Sequence, residues 1–307
     1  MKELLKKYYN VNENIIEENS KCTFIKNNKK YLFLPFERTE DEFSELFSLN
    51  EELITKNIPT SLFILNKQNN YITIEENLKY VLLEMPLENQ EYNVLDMMKF
   101  HNQLVISSKK SILYRNKWAE LWSKKIDYFE YQVRELGRDK PIILNSFSYY
   151  SGLAENAISY INSTIKKHQP TVSERITLQR KRINFPNLSC DYFNPLNYII
   201  DLEVRDIASY FKSLFFESKE NLKIEINAYF KNKRLSLYGY QLLYARLLYP
   251  SFYFDIYENV MEGKKEEKEL LKIINQVEEY EIFLKEMFQL LHSFAPIDPI
   301  EWLIKES

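Results

Sequence analysis

Side chains able to do chemistry are sparse and thinly grouped in this chain. The densest group is Glu174–Arg182 (ERITLQRKR), where Arg175, Arg180, Lys181 and Arg182 follow a single acid, Glu174. Guanidinium and ammonium groups at that density could hold an anion or an acidic partner. The simpler expectation is a solvated basic loop. The histidines, His101, His168 and His292, are isolated and have no metal-ligand spacing. His101, in KFHNQ, has no nucleophile beside it, so it suits a place between helices better than the role of catalytic base. Cys22 and Cys190 stand far apart, which argues against a disulfide framework and against a thiolate metal site. Phosphate chemistry usually calls for glycine, which lets the backbone close on phosphate oxygens. The chain has 4 glycines and none before Gly137.

The chain is long enough to carry these residues on a sizeable core, as one large domain or two lobes. Hydrophobic residues make up 45% and charged residues 28%, which is globular rather than disordered. A formal net charge of -3 gives no general pull toward nucleic acid or membrane. The charged start, MKELLKKYYNVNENIIEEN, lacks the apolar stretch of a secretion signal. No apolar run is long enough to span a membrane. Synthesis and folding in a cytosol are therefore expected. The many Tyr and Phe residues can fill a core or anchor an interface.

Two apolar runs in Cys22–Phe36, around the polar Lys26–Lys30, predict a β-hairpin. Thr39 followed by acids, with Phe43, Leu46, Phe47, Leu49 and Leu53 at helical spacing, predicts a capped helix to Ile54. Short strands are expected at Thr60–Leu65 and Tyr71–Ile74, and a buried strand at Lys79–Met85, stopped by Pro86. Helices follow at Val94–Val105, at Trp118–Leu136 (with Leu121, Trp122, Ile126, Phe129 and Val133 on one stripe) and at Tyr149–Ile165. Pro170–Tyr198 reads as irregular, broken by Pro170, Pro186 and Pro195. Helices are predicted again at Arg205–Phe216, Leu222–Phe230, Ser236–Tyr249 and Phe252–Met261, then a long amphipathic one at 270–291. Its apolar repeat is short, so packing on its own lobe is expected rather than a coiled coil. The aromatic group Tyr244, Tyr249, Phe252, Tyr253, Phe254 and Tyr257 falls at helical spacing and reads as core. The layout is α+β: a small β-rich lobe over 1–86 and a helical lobe over 87–307.

Three segments, RNKWAELWSKKIDYFE (115–130), YYSGLAENAISYI (149–161) and QLLYARLLYPSFYFDIYENV (241–260), resemble the YutH-type spore coat proteins. LDMMKFHNQLV (95–105) is similar to a helix of the wider coat-protein and aminoglycoside-phosphotransferase-like group. The resemblance spans roughly residues 30–260. It implies a bilobal, protein-kinase-like fold in a protein of the endospore coat, made in the mother-cell cytoplasm, with other coat proteins as partners.

Phosphoryl transfer in that fold needs a phosphate-covering loop, a phosphate-binding lysine, a catalytic carboxylate and metal-binding carboxylates. The resemblance puts the covering loop at KNNKK (Lys26–Lys30), which has no glycine, so a plain turn is expected. It puts the lysine position at Leu34, which cannot pair with phosphate. The helix glutamate that would pair with such a lysine is Glu45, left as a solvated residue. The catalytic loop falls at Ser173-Glu174-Arg175, and Arg175 cannot accept a proton. The amide metal ligand falls at Arg180. The metal aspartate falls at Asn197, a weak ligand for a hard cation, with Asp191 as competitor. Asp201 and Asp206 match an acidic run leading into the next helix, and Asp206 reads as a structural residue tying down the catalytic-loop backbone.

The expectation is thus a catalytically inactive, kinase-like structural or interaction component of the coat, without cofactor. The first alternative is a working phosphotransferase with relocated residues: ATP phosphates on Lys29 or Lys30, Mg²⁺ on Asp191, and Glu174 as base. The second is a non-catalytic ligand-binding module using Arg175, Arg180 and Arg182.

Overall fold

A computed structural model describes residues 1–18, 20–86, 92–104, 111–170, 174–183 and 192–304. By packing, the chain divides into two compact units: Met1–Tyr114 with Arg180–Ile200, and Arg115–Gln179 with Asp201–Ser307. The sequence-based boundary at residue 86 separates element types instead.

The first unit is built on an antiparallel sheet. Its strands are β1 (Ile16–Glu18), β2 (Lys21–Lys26), β3 (Lys29–Pro35), β4 (Leu62–Ile64), β5 (Ile72–Glu75) and β6 (Leu78–Glu84), in the order β1-β2-β3-β6-β4 with β5 also beside β6. The β2–β3 hairpin closes Lys26 against Lys29, so Asn27 and Asn28 alone form the turn. Both have positive φ, 50° and 59°. That is the mirror-image turn that matches strand twist, and Asn tolerates it better than most residues.

In β3, Leu32, Phe33 and Leu34 are buried in succession, so both faces of the sheet are covered. On one face the N-terminal helix α1 (Lys2–Tyr9) and the chain after it bring Leu5, Val11 and Ile15 against Cys22, Phe24, Phe33 and Leu82. Helix α2 (Glu40–Thr55) starts with a capping box in which Thr39 and Glu42 satisfy each other's backbone N–H groups. Its Phe43 and Phe47 pack on Phe36, Phe63 and Tyr71. Helix α3 (Val94–Gln103) buries His101 with Val94, Met97 and Phe100, which places His101 in the core.

The second unit is helical. Helix α4 (Trp118–Leu136) buries Trp118, Trp122, Ile126 and Phe129. Leu121, expected on that stripe, is 45% exposed because the buried face turns one position away from it. Helix α5 (Pro141–Lys167) is longer than the sequence suggests; Pro141 begins it, where a missing N–H costs nothing. Strands β7 (Ile176–Arg180) and β8 (Tyr198–Leu202) form a separate two-stranded sheet, and the division between the units passes within both. β7 lies in a stretch the sequence reads as irregular.

Helices α6 (Val204–Glu217), α7 (Lys219–Asn232), α8 (Leu237–Leu248) and α9 (Ser251–Met261) follow as expected. The single helix predicted at 270–291 is a short α10 (Leu271–Ile274) and a longer α11 (Val277–Phe294). Between them Asn275 and Gln276 hold ψ near zero (-10° and 11°), which opens the ladder at a poor helix former. A last turn, α12, covers Glu301–Ile304.

The tyrosine-rich core expected in the α8–α9 region is present. Tyr249 stacks on Trp122 with ring centres 4.0 Å apart, and Tyr253 stacks on Tyr150 at 3.8 Å. Among the described residues no helix is long and apolar enough to cross a membrane.

Candidate functional site

In the first unit, the positions that the resemblance matches to phosphate binding are spent on structure. The turn at Asn27 and Asn28 has no further residue that could fold over a ligand. Leu34 is buried and pairs with Val81 in the sheet. Lys29, offered as a substitute cation, donates to Glu84 at 2.6 Å, and Tyr31 donates to the other oxygen of that carboxylate. This contact, after burial, helps push the Tyr31 hydroxyl up to about 12. Glu45 is not left to solvent: it is half-buried and accepts the Ile112 N–H at 3.1 Å.

The basic run splits by environment. Lys181 and Arg182 are exposed, as a solvated loop requires. Arg180 is not part of such a loop. It is 1% exposed, donates Nε–H to the Tyr192 carbonyl, and lies over the rings of Phe100, Tyr192 and Tyr198 at 3.9, 3.5 and 5.1 Å. A guanidinium so enclosed is a core element, which removes it from the proposed anion-binding set.

Asn197 accepts the Arg182 N–H on Oδ1 at 2.9 Å and donates Nδ2–H to the Arg182 carbonyl at 2.6 Å. This two-point clamp on backbone occupies both ends of its amide. Arg38 adds to the same region by donating to the carbonyls of Leu196 and Tyr198. Asp191 and Ser173 lie outside the described residues.

In the second unit, the carboxylates are gathered where β8 enters α6. Asp201 is fully buried. Its Oδ2 accepts Trp118 Nε1–H and an Arg205 N–H, each at 2.8 Å, and its Oδ1 accepts the Leu202 N–H at 2.8 Å. Burial pushes its pKa up, against the opposing pull of Arg205, Arg246 and the Trp118 indole. Arg246 lies over the Trp118 ring at 4.6 Å.

Glu203 is the only residue between β8 and α6. It pairs with Arg175 at 2.9 Å and with Lys233 at 2.7 Å. Its N–H also donates to the Arg175 carbonyl. Glu174 accepts from the Ser236 hydroxyl, the N-cap of α8. Asp206 is fully buried in the first turn of α6, where a negative charge suits the helix dipole, and its N–H donates to Gln179 Oε1 at 3.0 Å.

The sequence singled out Glu174, Arg175, Asp201 and Asp206. It missed Trp118, Glu203, Arg205, Lys233 and Ser236 as their partners. Only Arg205 carried a signal, as a cation four residues after Asp201 in the sequence.

Within this cluster Asp201 and Glu203 are engaged by the chain itself rather than left open to a cation. A divalent cation needs free carboxylate oxygens. Here the oxygens of Asp201 are taken by an indole, a guanidinium and a backbone N–H, and Glu203 is already held by two cations of the chain.

A small antiparallel sheet with a few helices, and a second unit that is mainly helical, is the architecture of the aminoglycoside-phosphotransferase-like kinases. The structure matches an aminoglycoside phosphotransferase from Alicyclobacillus acidocaldarius with TM-score 0.56 and 10% identity, over 95% of this chain and 96% of that one. It matches a spectinomycin phosphotransferase, solved with ADP and spectinomycin, with TM-score 0.55 and 12% identity, over 97% and 93%. Identity this low speaks for the fold alone.

Within that fold the family is specific. The model of the family described as "Spore coat putative kinase YutH" matches residues 2–287, and the chain belongs to that family. It is 27% identical over 311 residues to the endospore coat-associated protein YutH of Bacillus subtilis strain 168, which covers 91% of each chain.

Proposed function

We propose that this protein is a non-catalytic component of the bacterial endospore coat, a kinase-like fold kept as a structural or docking body, with other coat proteins as its partners. Family membership supports the coat location. The observation that carries the loss of catalysis is Asn197. It stands where the resemblance puts the metal aspartate, and both ends of its neutral amide are held by the Arg182 backbone. Three further features support the reading: the two-residue turn at Asn27–Asn28, Leu34 at the expected lysine position, and Glu174 engaged by Ser236.

The test is titration of ATP, with and without Mg²⁺, into the full chain, followed by calorimetry and by thermal shift. A ligand that binds only the native state raises apparent stability by mass action. No heat and no shift are expected. A Mg²⁺-dependent shift that Asp191→Asn abolishes would overturn the proposal in favour of a working phosphotransferase. In sporulating cells, a fluorescent fusion is expected to gather at the forespore surface; a diffuse mother-cell signal would remove the coat assignment.

A further inference from the structure

The second unit carries an open groove of about 640 Å³ between α4 and α5, away from the residues discussed above. Its lining includes the apolar Ile126 and Ile158 and the short side chains of Ser123, Ser159 and Ser163. Along α5 the exposed lining residues are Glu155, Ser159, Asn162, Lys166 and Lys167, of which the first four follow one another three or four residues apart. These four positions recur at helical spacing, so they share one face, and Glu155 and Lys166 stand about three turns, or roughly 16 Å, apart. The face thus has an acidic end and a basic end with a polar, small-residue middle. Asp127 of α4 adds a carboxylate to the lining, and Lys167 adds an ammonium that already pairs with Asp298 at 2.7 Å. Among the described residues Asp127, Glu155 and Lys166 make no ion pair.

This arrangement is self-complementary. A two-fold axis passing between Ser159 and Asn162 sets α5 antiparallel to α5 of a second copy. Glu155 of each copy then meets Lys166 of the other, and Ser159 meets Asn162. A single unsymmetrical partner gains nothing from this matching of positions, whereas an interface between identical surfaces requires it. We propose that the α4–α5 groove is the face on which two copies of this chain associate, with reciprocal Glu155–Lys166 ion pairs fixing the register. The short serines allow close approach of the helices, and Ile158 lies near the axis to supply apolar contact.

Sedimentation equilibrium of the full chain at low salt tests this. A monomer–dimer equilibrium is expected, weakened by added salt because the pairs are exposed. Glu155→Lys sets two ammonium groups together at each end of the paired helices, and Lys166→Glu sets two carboxylates together. Each variant introduces two clashes per dimer and is expected to weaken the dimer about tenfold. The double variant E155K/K166E exchanges the ends and is expected to restore dimerisation. The Glu155 and Lys166 side chains are exposed, so circular dichroism should report unchanged folding in every variant. A chain that stays monomeric at its highest soluble concentration overturns the proposal and leaves the groove to a different partner. A dimer indifferent to both single changes overturns it too, by placing the interface elsewhere.

Discussion

At the scale of single residues, Asp201 and Asn197 show what the fold does with its polar side chains. Asp201 lies between Trp118 and Arg205 with no exposed surface. A charge so buried is tolerated because it is matched; removing it strands the guanidinium. Asp201→Ala is therefore expected to cost about 3–5 kcal/mol in urea unfolding. Asp201→Asn keeps an acceptor for the Trp118 indole and should cost less. If both changes leave the midpoint untouched, the network is not structural. Asn197 sharpens the functional question, because restoring a kinase-like aspartate there is a one-residue change. In Asn197→Asp a carboxylate oxygen would replace the amide donor that faces the Arg182 carbonyl. The expected result is a loss of about 1–3 kcal/mol with no gain of Mg²⁺-ATP binding. A variant that is as stable as the parent and binds Mg²⁺-ATP would show that the position was a metal site awaiting its ligand.

Among the elements, the β2–β3 hairpin is the one most fully written in the sequence. β2 alternates, the unbroken apolar run of β3 marks a strand covered on both faces, and Asn27-Asn28 supplies the two positive-φ residues that a two-residue turn demands. Asn28→Gly should leave thermal stability equal or slightly higher, since glycine adopts that backbone freely. Asn28→Val should lower stability by about 1–2 kcal/mol, the cost of left-handed backbone for a side chain with a branched Cβ. Equal stability of the two variants would mean that the turn is not held as described. β7 was illegible for the opposite reason. Its residues Gln179 and Arg180 are polar yet buried, Gln179 because it holds the Asp206 N–H and Arg180 because aromatic rings enclose it. Such burial is decided by residues distant in sequence, so local pattern reads a loop. The break between α10 and α11 was missed likewise, because the apolar repeat runs on through Asn275 and Gln276. The site had the same limit: Asp201 and Glu174 were visible as acids, but Trp118 and Ser236 become their partners only through folding.

At the scale of the whole molecule, the abundance of tyrosine becomes a titration property. Tyr149, Tyr150, Tyr160, Tyr229, Tyr244, Tyr257 and Tyr280 are each held well above the ordinary tyrosine range, chiefly because burial penalises the phenolate. Tyr253 is pushed up to about 12 by the same cause. The sign follows from linkage. Above pH ~10 an unfolded tyrosine gives up its proton while a buried one keeps it, so the native state binds more protons and stability falls as pH rises. With this many tyrosines acting together, the stability they contribute is complete below pH ~10 and is lost steeply beyond it. Phenolate absorbance at 295 nm and far-ultraviolet circular dichroism, followed on one alkaline titration, separate the possibilities. The buried tyrosines should ionise only in step with the loss of helix signal, and Tyr253→Phe, which also breaks the bond to Ser146, should move that transition. If the full absorbance of all 23 tyrosines develops while the helix signal stays native, the buried phenols are open to water, and the aromatic core that binds these helices together would have to be redrawn.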